Sequence, residues 1–146
     1  MPGETHVYKT GLRWEAQRRG VLSSPGLPDV SVATPPEFPG GHAGIWSPEH
    51  LFVASAEVCL MTTFLAIAEN SKLEYLEYRS QAEGTVEKTD QGFLVTGITI
   101  RPRVTIKDPA ARERALRIIE KAEKACLISK SMKTPITLQA EVVAPG

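Results

Sequence analysis

The strongest pattern along the chain is a run from Leu51 to Ala68 in which apolar residues fall on every side of a helical wheel. Leu51, Phe52, Val53, Val58, Cys59, Leu60, Met61, Phe64, Leu65 and Ile67 leave no wide polar face. That pattern predicts a buried central helix over 47–72 rather than a surface helix with one apolar stripe. Its start is marked by Ser47 as N-cap, Pro48 at the first helical position and Glu49 at the positive end of the helix dipole. The run is also long enough for a membrane span, but Glu57 and the Thr62-Thr63 pair lie in its middle and argue against that reading. Cys59 is therefore expected inside a soluble protein.

The flanking segments alternate instead. Val7 to Glu15 reads as a first strand with Tyr8, Leu12 and Trp14 on one side, ending in a Gln17-Arg18-Arg19-Gly20 turn that presents two guanidinium groups together. Val21–Ser23 and Asp29–Thr34 predict two short strands around the Ser24-Pro25-Gly26 turn, and the Pro/Gly-rich stretch Thr34–Gly44 leads into the helix. Beyond it, Leu76–Lys88 and Phe93–Lys107 alternate cleanly around Thr89-Asp90-Gln91-Gly92, the mark of a long hairpin, with Pro102 pointing to a partial edge in its second strand. Asp108-Pro109 opens an amphipathic helix that carries Cys126 into its last turn before Ser129-Lys130-Ser131 breaks the pattern. Ile136 to Val142 alternates as a closing strand.

The order β-β-β-α-β-β-α-β describes one α+β domain over 1–146. It comprises an N-terminal meander and loop (1–46), the central helix (47–72), and a hairpin, helix and closing strand (75–146), with an antiparallel sheet wrapped around the buried helix. About six strands and one other substantial helix are little cover for a helix apolar on every face, so a second subunit is expected to bury the remainder.

Composition narrows the function classes. With 42% hydrophobic and 23% charged residues the chain can build a core without staples. Seventeen basic residues balance seventeen acidic ones, which gives no electrostatic footprint for nucleic acid or a membrane surface and favours a small or neutral partner. No basic-then-apolar leader is visible at the N-terminus, so a reducing cytoplasmic setting is expected, where two cysteines suggest chemistry more than crosslinking.

Cys59 and Cys126 fall on the apolar faces of two different helices. One reading is that both are small buried hydrophobes. The other is redox chemistry, which requires a positive group to stabilise a thiolate so far from its helix N-terminus. Arg18 and Arg19 are the candidates, and Glu49 is able to hold such a guanidinium through a bidentate pair, although a first-turn acid also has an ordinary dipole role. Glu57 reads as a solvated acid at a helix edge or subunit seam, without a chemical role. No metal site is expected, since neither cysteine has a ligand at short spacing and His6, His42 and His50 are scattered.

Taken together, Thr34-Pro35-Pro36-Glu37-Phe38 with Gly40-Gly41, Ser47-Pro48-Glu49-His50-Leu51-Phe52, Cys59 ten residues after Glu49, and Cys126-Leu127-Ile128-Ser129 followed by Pro135 resemble the OsmC/Ohr family of organic-hydroperoxide and osmotically induced proteins. The resemblance runs over nearly the whole chain. It implies an intertwined homodimer with sites at the subunit interface and a cofactor-free thiol peroxidase for organic hydroperoxides, re-reduced by a dithiol of the dihydrolipoamide kind. It makes Cys59 the peroxidatic thiol, Cys126 the resolving thiol and Glu49 the acid that orients an arginine. Gln17, Arg18 or Arg19 falls at the family's arginine position, and Arg19 is the choice here. Leu127 stands where the hydroperoxide-resistance branch commonly has a proline. The alternative function is a non-catalytic module holding a small acyl or thiol compound in an apolar interface pocket.

Overall fold

The computed structural model describes residues 3–145. The chain forms two compact units, one ending at Leu51 and the other beginning at Phe52.

The first unit is a meander of β1 (Gly11–Ala16), β2 (Arg19–Ser24) and β3 (Leu27–Ala33), antiparallel and in that order. The strand expected from Val7 starts only at Gly11, which pairs with Ser23; beyond Ser24 the partner strand turns away at Pro25-Gly26, so residues 7–10 have nothing to ladder with. The first turn is also tighter than expected. It consists of Gln17 and Arg18 alone, with Gln17 at φ 52°, and Arg19 and Gly20 already belong to β2. After β3 the loop folds back on itself: the His42 amide donates to Thr34 O at 2.9 Å and the Ala33 amide to Trp46 O at 2.9 Å. Gly41 is required here, because a Cβ would lie 1.9 Å from the Pro35 carbonyl oxygen.

Helix α1 (Pro48–Asn70) starts where the sequence predicts. Ser47, fully buried, accepts the His50 amide on its Oγ at 3.1 Å, which satisfies one of the orphan donors of the first turn, and pairs with His50 Nδ1 at 2.7 Å.

In the second unit, β4 (Tyr75–Thr89) and β5 (Gly92–Ile106) form the long hairpin, followed by α2 (Arg112–Ala125), α3 (Leu127–Ser131), β6 (Ile136–Leu138) and β7 (Glu141–Val143). The closing strand is thus two strands, and both run parallel to β5, so the sheet is mixed rather than purely antiparallel. Its order makes β5 an inner strand. Pro102 is tolerated there because it falls between the stretch paired with β6 (Ile98–Ile100) and the stretch paired with β7 (Arg103–Thr105), where no ladder donor is needed on that side.

Every fourth residue of α1, Ala56, Leu60, Phe64 and Ala68, is fully buried in a core with Ile98, Ile100, Val104 and Ile106 of β5 and Ala115, Ile119 and Ala122 of α2. Each large side chain removed from water there contributes about 1.5–3 kcal/mol. Two close contacts fix α1 on β4. Ser80 Oγ donates to Glu57 Oε2 at 2.6 Å, so Glu57 is a docking group rather than a free solvated acid. Val53 packs so tightly on Gly84 that a Cβ there would lie 2.4 Å from Val53 Cγ2. By length and apolarity alone α1 is able to cross a bilayer, yet one face of it is the core of this unit, while Val58 on another face is 55% exposed.

Candidate functional site

The site is built around a break between two helices. Cys126 is extended, at φ −63° and ψ 114°, and serves both as the C-cap of α2 and as the N-cap of α3. Its amide donates to Glu123 O at 3.3 Å, which closes α2, and its carbonyl accepts the Lys130 amide at 3.1 Å, which opens α3. The expectation that Cys126 lies within the last helical turn is therefore corrected by one residue, and Ser129-Lys130-Ser131, expected to end helical structure, belongs to α3.

The break brings the two cysteines together. Cys126 is fully buried, whereas Cys59, from the middle of α1, is half-buried, and both are free thiols near enough for each to shift the other's pKa. Burial raises the Cys59 pKa, but four hydrogen bonds outweigh it and leave the thiol below its ordinary value. They come from the Cys126 thiol, the Ile128 amide, Thr63 and the Leu127 amide, with Thr63 Oγ1 at 3.8 Å from the sulfur. Cys126 is shifted the other way: burial pushes it up, Ser129 opposes that, and the neighbouring Cys59 adds to it. The pair therefore has one sulfur that ionises more readily than an ordinary thiol and one that ionises less readily. Such an arrangement suits attack by the first sulfur on an electrophile and later condensation with the second.

The remaining sequence candidates lie in or next to the first unit. Glu49, on the first turn of α1, keeps Oε1 buried without a hydrogen-bond partner, and Arg19 keeps Nε buried in the same condition. The two do not pair. The Arg19 guanidinium instead faces Glu15 at 3.6 Å, and the exposed Arg18 lies over Gly40. Arg18 also lines a cleft of about 290 Å³ whose other walls, including Leu12, Leu22, Val32, Pro48 and Leu51, are largely apolar. Gln17 is taken up in the β1–β2 turn. Among the described residues no group of three or more His, Cys, Asp and Glu is placed to hold a metal ion.

A profile described as OsmC-like protein matches residues 41–141, the stretch that contains the whole of α1, both cysteines and the second sheet up to the first residue of β7. The chain belongs to the OsmC-like family. It is 29% identical to the uncharacterised protein YmaD of Bacillus subtilis over 93% of each chain. It is also 29% identical to an organic hydroperoxide resistance protein-like 2 of Staphylococcus epidermidis, covering 94% of this chain and 96% of that one. Its fold matches an OsmC-like protein of unknown function from Vibrio cholerae with a TM-score of 0.84 at 21% identity, over 93% of this chain and 99% of that one.

In this OsmC-like protein, sequence reasoning missed the groups that surround the two sulfurs. Thr63 was available as the residue one helical turn after Cys59, on the same face. Ser129, three residues after Cys126, carried the signature of a residue that faces back onto a cap but reads equally as a helix breaker. The Leu127 and Ile128 amides carry no side-chain signal at all.

The hydrogen bonds to Cys59 predict its reactivity. The rate of alkylation of Cys59 by iodoacetamide should titrate with a midpoint below that of an ordinary thiol, and Cys126→Ala, which removes the first of the four donors, should move the midpoint upward. Rate–pH profiles of the two proteins check this; a wild-type midpoint at or above the ordinary thiol value contradicts it.

Proposed function

We propose that this OsmC-like protein is a cytoplasmic thiol peroxidase that reduces organic hydroperoxides. The single observation that carries the reading is the juxtaposition of two free cysteines from different helices, a half-buried Cys59 whose pKa its surroundings lower and a fully buried Cys126 whose pKa burial raises. The Cys59 thiolate attacks the terminal peroxide oxygen and the alcohol departs, leaving Cys59 as a sulfenic acid. Cys126 then condenses with it, water leaves, and a small dithiol of the dihydrolipoamide kind reopens the disulfide by exchange. The apolar walls of the cleft beside Arg18 suit a peroxide with a hydrocarbon body better than hydrogen peroxide. The name of the Staphylococcus epidermidis relative points to the same class of compound.

Glu49 and Arg19 enter this reading as a pair completed by assembly. Each holds a buried polar atom with no partner among the described residues, a condition that costs about 1–3 kcal/mol per group unless a partner is supplied. A homodimer supplies one and also covers apolar surface that the single chain leaves out: Leu12, Trp14 and Leu27 on the meander, and Val58 on α1, are all more than half exposed. In the proposed site an arginine, Arg19 or Arg18, is held by Glu49 and faces the reacting sulfur.

Steady-state assays test the chemistry. Wild-type protein with dihydrolipoamide should consume cumene hydroperoxide; Cys59→Ser should abolish turnover, and Cys126→Ser should react once and stop with Cys59 oxidised. No peroxide consumption by the reduced wild type sinks the peroxidase reading in favour of a non-catalytic ligand-binding module.

Assembly has its own test, since an obligate dimer melts at a higher temperature as protein concentration rises. The thermal midpoint should climb over a hundredfold concentration range. A concentration-independent midpoint together with a monomer in sedimentation contradicts the dimer.

A further inference from the structure

Cys126 has a difficulty that the site described so far does not resolve. It is fully buried, burial holds its proton on, and the neighbouring Cys59 raises its pKa further, yet condensation requires its sulfur to act as a nucleophile. Among the described residues, Cys59 and Ser129 act on the thiol directly and Glu123 stands behind Ser129. Cys59 comes from α1, Ser129 from the first turn of α3, and Glu123 from the last turn of α2, reached through Ser129.

Ser129 stands three residues after the cap Cys126, on the first turn of α3, where it acts on the Cys126 thiol, and its Oγ donates to Glu123 Oε1 at 3.4 Å. Glu123 is half-buried and, among the described residues, forms no ion pair; burial raises its pKa, partly opposed by Ser129. A carboxylate without a cation, withdrawn from water and joined through a hydroxyl to a buried thiol, is arranged as a proton acceptor. The serine is suited to the middle position, because a hydroxyl accepts one proton as it gives up another. The 3.4 Å separation is long for such a bond, as resting catalytic contacts often are before they tighten in the reacting state.

We propose that Ser129 and Glu123 form a proton relay that deprotonates Cys126 as it attacks its partner sulfur. Ser129 touches the reacting atom; Glu123 acts through it as a positioning residue. In condensation the Cys126 sulfur forms the S–S bond while the S–O bond of the Cys59 sulfenic acid breaks. The Cys126 sulfur is oxidised and the Cys59 sulfur reduced. The thiol proton passes to Ser129 Oγ, whose own proton moves to the Glu123 carboxylate. The hydroxide leaves as water with a proton from solvent, and Glu123 returns its proton to solvent, so the step is balanced with no further reagent. The role assigned here rests on the peroxidase reading, but the proton transfer itself does not need a peroxide, and this allows a separate test.

A chromogenic aryl disulfide added to reduced protein should label the accessible Cys59 and release one aryl thiolate. Attack by Cys126 on that mixed disulfide then releases a second, at a rate that depends on the same deprotonation. With Glu123→Gln the first release should be unchanged. The second should be slowed by about tenfold or more at neutral pH and recover toward the wild-type rate in strongly alkaline buffer, where Cys126 ionises unaided. Ser129→Ala should behave alike, and Glu123→Asp should restore part of the loss. A Gln variant with the wild-type second phase, or one slowed by the same factor at every pH, overturns the relay; the latter is the mark of a merely structural role. Thermal melting of each variant keeps misfolding apart from either result. Adding cumene hydroperoxide in place of the aryl disulfide tests the peroxidase reading independently, so the two ideas fail separately.

Discussion

The arrangement of the site depends on the interruption of helical hydrogen bonding at Cys126. Had α2 continued without a break, the Leu127 and Ile128 amides would be spent on carbonyls of the preceding turn. The extended conformation of Cys126 instead makes them first-turn donors of a new helix, and such donors have no intrahelical partner. The Cys59 sulfur takes both. One backbone feature thus satisfies two orphan amides, lowers the pKa of one thiol, and sets the other thiol beside it. Hydrogen bonds to a charged acceptor are worth about 1.5–3 kcal/mol each, so a few of them suffice to outweigh the cost of partial burial.

The rest of the second unit holds the two helices so that this contact is made. Ala56, Leu60, Phe64 and Ala68 face inward, which fixes the rotation of α1 and leaves Cys59 and Thr63, one helical turn apart, on the neighbouring flank. Ser80 on Glu57 and Val53 on Gly84 lock the same helix to β4. Ala115, Ile119 and Ala122 bring α2 to the same core, and Cys126 lies at its end. The sulfur pair is therefore a product of both helices packing against the same face of β5, and no short motif could have placed it.

That division explains what was legible in the sequence. The start of α1, the β4–β5 hairpin and the course of α2 follow from local signals: a Ser-Pro cap, alternation at period two, an amphipathic stripe. The two cysteines were recognisable by their flanks. The split of the closing segment into β6 and β7, both parallel to β5, was not legible, because alternation says which face a residue takes and nothing about strand direction. Pro102 misled for a related reason: a proline is read as an edge signal, whereas here it occupies the gap that the split leaves. Arg18 and Arg19 look equivalent as neighbours in a turn, but the two-residue turn puts one in the loop and the other in a strand, a difference of register that propensity does not resolve. Ser129 and Glu123 carry no such local signal, because they meet only once the helix breaks.

If Cys59 and Cys126 of one chain form a reversible redox pair, non-reducing peptide mapping after a single equivalent of organic hydroperoxide should show it. One dominant crosslink is expected, a Cys59–Cys126 disulfide within a single chain, that disappears on treatment with a dithiol. Recovery of both cysteines as free thiols, or a crosslink between Cys59 residues of two different chains, would contradict it.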